Sequence, residues 1–362
     1  MAEQNLFDKN MEKEYRYKVA TLCYTYNHGP FVKTALDGFS MQKTSFPCVS
    51  IIVDDASTDE TAEIIQNYLE DNFDFTETSV AYKKETEFAH ICFARHKNNK
   101  SCFFAVLFLK ENHHSKRKPK DVYFKEWIDN SKFIAFCEGD DYWTNPNKLQ
   151  VQVNAMEQHP ELDISAHAFK RVHALTGEIV DERLLSKENV VFPIETVIMG
   201  EGGFVGTPTV MITQTAWKKK ETMPFWKGMD YDYTVQIGGA LRGGLLYLKE
   251  SMVEKRTRVP GSFTDFHREA SKREKVEYNE RKAKMLLQLD EETGGKYHDT
   301  IYARILLNNI RSYNTGKENR HFLVTYHDGY RIVSLKEKIR FVILCYFSWI
   351  VLFYRILRNG EN

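Results

Sequence analysis

The chain has 362 residues, long enough to bury a large core as one big domain with an appendage, or as two domains. Lysine plus arginine and aspartate plus glutamate each total 50, so zero formal net charge provides no global pull toward nucleic acid or a membrane surface. Hydrophobic residues at 42% with charged residues at 28% suit an ordinary globular protein, and the polar start MAEQNLFDKNMEKEYRYK reads as neither signal peptide nor membrane span.

In chain order, Lys18 to Tyr26 (KVATLCYTY) predicts a strand that ends in the turn Asn27-His28-Gly29-Pro30, and Phe31 to Phe39 has helical spacing. Val49 to Val53 (VSIIV) predicts a second strand closed by Asp54-Asp55. Ser57-Thr58-Asp59 then starts a helix with Ala62, Ile65 and Leu69 on one face. Thr78 to Tyr82 is expected to be a third strand and Phe133 to Cys137 (FIAFC) another. Residues 98–120 read as an insertion: Cys102 to Leu109 on a helix, then a mobile basic loop carrying His113-His114. Pro146 to His159 has helical amphipathicity, Ile164 to Val172 reads as a strand, and 200–215 as loop then strand. A helix is expected over 230–242, and 266–338 is helical in composition. Apolar strands alternating with helices indicate an α/β fold with a mostly parallel sheet covered on both faces. Ligands in such sheets sit at the carboxyl ends of the strands, which here carry Tyr26-Asn27, Asp54-Asp55 and Glu138 to Asp141.

The six cysteines (Cys23, Cys48, Cys92, Cys102, Cys137, Cys345) have no short metal-type spacing and favour a reducing cytosol. The acidic stretch Glu138-Gly139-Asp140-Asp141-Tyr142-Trp143 is the clearest chemical signal. Three carboxylates within four residues repel one another unless a cation sits among them, and Mg²⁺ or Mn²⁺ held by carboxylates plus substrate phosphates fits that need.

With these residues in hand, the chain resembles the family 2 glycosyltransferases of the GT-A fold, particularly the bacterial capsule and exopolysaccharide type. The matching segments are CYTYNHGPFVKTAL (23–36), IIVDDASTDET (51–61), FIAFCEGDDYWTNPNKLQVQV (133–153) and DYTVQIGGALRGGLLYL (232–248). The resemblance implies a transferase domain over 15–265 and a helical C-terminal region over 266–362 with an apolar, amphipathic end. It implies that Tyr24 and Tyr26 line the base of a nucleotide-sugar donor, a UDP-sugar by the family's habit, and that Asp55 accepts a hydrogen bond from that base. Arg95, in FARHK, would face the nucleotide or diphosphate, with His96 standing where the family has Asn. Asp140 would hold metal and diphosphate, supported by Glu138 and Asp141, and Trp143 would offer either a sugar-stacking wall or core packing.

Inverting transfer needs one carboxylate to deprotonate the acceptor hydroxyl. The resemblance gives that role to Asp232, followed at the family's spacing by Ala240, Gly243 and Tyr247, with Asp230 as rival. Arg256 and Arg258, in MVEKRTRVPGS, would neutralise diphosphate charge, although Lys255 and Arg258 replace the family's Tyr and His. Trp217 and Trp226 are read as acceptor-side or core residues. The implied reaction is metal-dependent transfer of a sugar to a surface polysaccharide or lipid-linked glycan. The alternatives are a non-catalytic glycan-binding scaffold of the same fold, or a nucleotidyltransferase, for which a Gly-rich or Lys-bearing phosphate loop after the first strand is missing. A dinucleotide oxidoreductase is disfavoured because no G-x-G-x-x-G follows that strand. Nucleic acid is not expected as a partner. Phe341 to Tyr354 is apolar for fourteen residues, too few to span a bilayer. Flanked by Lys336, Lys338, Arg340, Arg355 and Arg358, the stretch 336–358 is expected either to lie in a membrane interface or to pack on protein. The expected location is the cytoplasm, and the inner face of the plasma membrane if 336–358 takes the first of these two roles.

Overall fold

A computed structural model describes residues 14–227, 231–260, 262, 270–310, 316–347 and 349. The chain forms two compact units, residues 1–153 and 154–362.

In the first unit, β1 (Tyr17–Thr25) leads to α1 (Gly29–Ser40), and β2 (Cys48–Asp54) leads to α2 (Thr61–Asn72). There follow β3 (Phe73–Asp74), β4 (Tyr82–Glu85), β5 (Ala89–His96) and β6 (Cys102–Leu109). After α3 (Lys125–Asp129) come β7 (Ser131–Phe136), β8 (Tyr142–Trp143) and α4 (Lys148–Gln158). The sheet order is β7-β1-β2-β6-β5-β3, with β4 beside β5. The pairs β7–β1, β1–β2 and β2–β6 are parallel, whereas β5 runs antiparallel to β6. Every residue of β2 is buried, as expected of a central strand covered on both faces. Val49, Ile51, Ile52 and Val53 each contribute roughly 1.5–3 kcal/mol by that burial. Pro30 sits in the first turn of α1, where its missing N–H costs nothing, and Phe31, Val32, Ala35, Leu36 and Phe39 form the helix's inward face.

Two sequence expectations fail here. Cys102 to Leu109 is a sheet strand, not a helix. CFFAVLFL is a continuous apolar run, and periodicity cannot tell a strand buried on both faces from a buried helix. It supplies the third parallel partner that Thr78 to Tyr82 was expected to give. Of that stretch only Tyr82 is in a strand, at the start of the exposed β4.

The second unit contains β9 (Ile164–His167), β10 (Phe169–His173), β11 (Ile179–Arg183), β12 (Val190–Phe192), α5 (Ile194–Gly200), β13 (Met211–Thr213) and α6 (Gln214–Lys218). Then come α7 (Tyr231–Ala240), β14 (Leu245–Leu248), β15 (Val253–Thr257), α8 (Lys272–Glu292) and α9 (His298–Ile310). The last elements are α10 (Gly316–Thr325), α11 (His327–Tyr330) and α12 (Leu335–Tyr346). Strands run β12-β14-β9-β13 in one set and β11-β10-β15 in the other. The single strand expected over Ile164 to Val172 is split between β9 and β10, which lie in different sets.

The C-terminal helices are tied into this unit. Lys282 of α8 donates to Glu201 at 3.0 Å, Arg304 of α9 donates to the Met199 carbonyl at 2.9 Å, and Glu292 accepts from the Phe225 N–H at 3.0 Å. These bonds join residues on either side of 265, where the transferase domain implied by the resemblance ends, and the two compact units divide at Val153/Asn154.

Candidate functional site

The carboxyl ends of β1, β2 and β7 are laced together by backbone hydrogen bonds beyond the regular ladders. The Asp55 N–H donates to the Thr25 carbonyl at 2.9 Å, and the Gly139 N–H donates to the Tyr24 carbonyl at 2.9 Å. Gly139 is required by this approach: a Cβ there would lie 2.6 Å from Thr25 Oγ1 and 2.7 Å from Thr25 Cβ. The close fit turns the chain so that Glu138, Asp140 and Asp141 converge, one carboxylate oxygen of each within 4.8 Å of the others. Glu138 and Asp140 are half-buried and Asp141 is buried. Three hard oxygen donors so close form a donor set suited to Mg²⁺ or Mn²⁺. Two thiols lie behind them. Burial first, and then Glu138 and Asp140, push the Cys23 thiol up; burial and Asp141 do the same to Cys137. Both thiols are buried, and the three carboxylates alone make up the converging donor set. All six cysteines are free and buried.

The turns after β1 and β2 brace one another through their polar groups. Asn27 has φ of 53° and its side chain accepts from the Thr58 N–H at 2.8 Å, while its N–H donates to Ser57 Oγ at 2.9 Å. Ser57 also donates to Asp54. Asp59 accepts from the Gly29 N–H at 3.0 Å and from the Thr61 N–H at 3.0 Å. The expected helix start at Ser57 is therefore a loop brace, and α2 begins four residues later, at Thr61. Burial raises the Asp54 carboxyl, partly offset by its bonds from Ser57, which makes it a structural group.

Asp55 is held differently. It is 2% exposed and accepts three bonds from the stretch that follows β6: from the His113 N–H at 2.7 Å, the His114 N–H at 3.0 Å and Lys120 Nζ at 2.7 Å. Burial pushes its carboxyl up, but Lys120 and the two backbone N–H groups outweigh burial and hold it below the ordinary carboxylate value. Lys120 Nζ also stands 4.9 Å from the centroid of the Tyr24 ring, whose other neighbour is Phe124 at 6.3 Å. Tyr24 is thus packed under this segment, whereas Tyr26, past the strand end, is exposed. The basic loop expected to be mobile is instead fastened at its foot, with His113 itself buried. Nothing in its sequence points back to Asp55, 58 residues earlier.

Arg95 is not brought to this end of the sheet. Because β5 is antiparallel, Arg95 pairs with Phe103, which pairs with Val49, whereas Asp54 pairs with Phe108, five residues farther along. That separation is about 16 Å at strand rise. His96 builds the turn into β6, its Nδ1 accepting from the N–H groups of Asn98 and Asn99 at 3.1 and 3.0 Å. Trp143 is buried against Phe39, ring centroids 5.0 Å apart, so it is a core residue and not a sugar-stacking wall. Beneath it lies a residue the sequence did not single out. Lys148 is fully buried, 4.2 Å from the Trp143 ring centroid, and donates to Gln152 at 2.6 Å; burial lowers its pKa to about 7.

In the second unit, Asp232 lies in the first turn of α7, half-buried, and accepts from Thr207 Oγ1 at 2.8 Å. Gly238 on the same helix packs on Trp226, which is buried, as is Trp217. Both tryptophans are core. Arg256 lies half-buried on β15 opposite Val172, and Arg258 is exposed with φ of 60°. The rival base Asp230 lies outside the described residues, as does the chain from 350 to 362.

Residues 23–99 match the family model described as Glycosyl transferase family 2. Uncharacterized protein Rv1520 of Mycobacterium tuberculosis (strain ATCC 25618 / H37Rv) and uncharacterized protein Mb1547 of Mycobacterium bovis are each 32% identical over 155 residues, covering 43% of this chain. The match spans 36% of the length of those relatives. Among solved structures, S. aureus TarS 1-349 in complex with UDP-GlcNAc matches with a TM-score of 0.53 at 16% identity, covering 90% of this chain and 79% of that one. The same protein in complex with UDP matches with a TM-score of 0.51 at 17% identity, covering 90% of this chain and 78% of that one. The likeness establishes a mixed α/β fold of the GT-A type, and the residues that match the family 2 model run from β1 to β5.

Proposed function

We propose that the chain is a metal-dependent, inverting glycosyltransferase that takes a sugar from a nucleoside diphosphate donor, a UDP-sugar, and passes it to a glycan acceptor of the surface-polysaccharide or lipid-linked kind. The observation that carries this reading is the convergence of Glu138, Asp140 and Asp141 at the strand ends inside the fold of a transferase family. A divalent cation bound by Asp140 with Glu138 and Asp141 would supply charge neutralisation for the departing diphosphate. Asp55 and the two tyrosines Tyr24 and Tyr26 form the nucleoside end of the site. An anionic Asp55 accepts N–H donors, which suits the imide edge of uracil. Three donors already occupy Asp55, and a carboxylate has about four lone-pair sites, so Asp55 has room for one more bond. Arg95, at the opposite end of the strands, has no part in this reading.

Asp232 is assigned as the base that takes the proton of the acceptor hydroxyl, with the Thr207 hydroxyl fixing the rotamer of its carboxylate. Arg256 and Arg258 are assigned to phosphate charge. Support from the structural relatives comes from TarS, which was solved in complex with UDP-GlcNAc. The test is a panel of nucleotide sugars offered to the full chain with and without Mn²⁺ or Mg²⁺. Metal-dependent release of nucleoside diphosphate is expected, and is expected to be lost in Asp140→Asn and Asp232→Asn. Release of pyrophosphate, or activity retained in both variants, overturns the assignment.

A further inference from the structure

The helix α12 is apolar on two faces, and among the described residues only one of them is packed. Phe341 and Cys345 are fully buried in a cluster with Ala303, Leu306 and Ile310 of α9 and Val333. On the other side Leu335, Ile339, Val342, Ile343 and Tyr346 recur at helical spacing and stand in solvent, with Leu335 73% and Ile339 54% exposed. Trp349 beyond the helix is 66% exposed. A contiguous apolar stripe of this kind marks a surface that something covers.

The charges beside the stripe say what covers it. On a helical projection Lys336 and Arg340, four residues apart, border one edge, and Lys338 lies on the other. The helix has one acid, Glu337. It lies toward the protein side with a side chain 19% exposed, 3.9 Å from Arg340. A second copy laid face to face would bring the cations of both edges together, with the one acid of the helix turned away from the stripe. A bilayer with anionic headgroups answers both features at once: the acyl boundary takes Leu335, Ile339 and Val342, the phosphates take Lys336 and Arg340, and Tyr346 and Trp349 are aromatics of the kind that sit at headgroup depth. No described helix is long and apolar enough to cross a membrane, and twelve residues span about 18 Å, so the geometry is that of a helix lying in the interface.

We propose that the outer face of α12 docks the protein on an anionic lipid surface. This inference stands whether or not the transferase assignment holds. The test is sedimentation of the full chain with vesicles of phosphatidylglycerol and phosphatidylcholine, and with phosphatidylcholine alone, at low and high salt. Binding is expected only to the anionic vesicles and is expected to weaken as salt rises. Lys336→Gln with Arg340→Gln, which leaves the apolar packing intact, should reduce partitioning roughly thirtyfold. Ile339→Glu with Val342→Glu should abolish it, while thermal melting shows the variants folded. Absence of binding to anionic vesicles, or binding indifferent to both variants, overturns the proposal. A dimer by analytical ultracentrifugation that Ile339→Glu dissociates, with no vesicle binding, overturns it in favour of a second copy.

Discussion

Replacing Asp55 with alanine takes one acceptor away from three donors at once. The His113 N–H belongs to a residue 1% exposed and would be left buried and unsatisfied, which costs about 1–3 kcal/mol. The His114 N–H is partly buried and can recover some water, which adds about 1 kcal/mol or less, whereas Lys120, its side chain only 16% exposed, is left with a poorly hydrated charge and adds about 1.5–3 kcal/mol. The expected loss is about 3–6 kcal/mol by urea denaturation, with faster tryptic cleavage at Lys116 and Arg117 as the loop is released. Asp55→Asn retains one acceptor but turns an amide N–H₂ toward Lys120, so it should fall between wild type and alanine. The pH dependence has a definite sign. The Asp55 carboxyl is held below its ordinary value of 3.8, so its stabilising charge is fully present above that value and is lost as pH falls through the lower, folded value. The gap between wild type and Asp55→Ala should therefore be flat from about pH 5 to 8 and close in stronger acid. A gap under about 1 kcal/mol at pH 7, with an unchanged cleavage pattern, would refute the view that this carboxylate organises the nucleoside end of the site.

Other substitutions probe the remaining supports. Burial holds Lys148 at about 7 against an ordinary 10.5, so the unfolded chain binds its proton more readily between those values. The destabilisation is complete below pH 7 and fades as pH rises to 10.5; wild-type stability should climb by up to about 5 kcal/mol relative to Lys148→Met over that range, and parallel denaturation curves would count against it. Gly139→Ala drives a Cβ to within 2.6 Å of Thr25, itself 2% exposed, and should cost about 1–3 kcal/mol while displacing the three acids. Calorimetric titration with Mn²⁺ should then show weakened binding that Thr25→Gly partly restores; unaltered metal affinity in the single variant refutes the fit.

The two ends of the site differ in how they are made. The acid cluster is local: one tight turn, pinned by Gly139 against β1, aims three neighbouring side chains together. The proposed nucleoside end is assembled over distance, from Tyr24 on β1, Asp55 after β2 and Lys120 beyond β6. Its integrity depends on sheet register and on a loop foot that any change in β6 would move.

Local chemistry is why much of this was legible in the residues. Strands β1, β2 and β7 with their following turns, helices α1 and α2, and the acid cluster all follow from short-range apolar runs, turn residues and charge spacing, and these survive any tertiary arrangement. Strand direction does not. Only pairing decides that β5 runs antiparallel, and that reversal carries Arg95 about 16 Å from the end where its motif resemblance put it. CFFAVLFL could not be told from a buried helix until β2 was beside it. Likewise Phe39 against the indole decides between the two roles the sequence leaves open for Trp143, and Lys148, which nothing in the sequence singles out, is enclosed by Gln152 and the same indole. The resemblance ends near 265, and bonds at Glu201, Met199 and Glu292 that tie the later helices to the unit starting at 154 are visible only in the folded chain. The sequence specifies which groups can do chemistry because that is written in side-chain type and near spacing. Which of them meet is set by long-range pairing and burial, and these exist only in the folded chain.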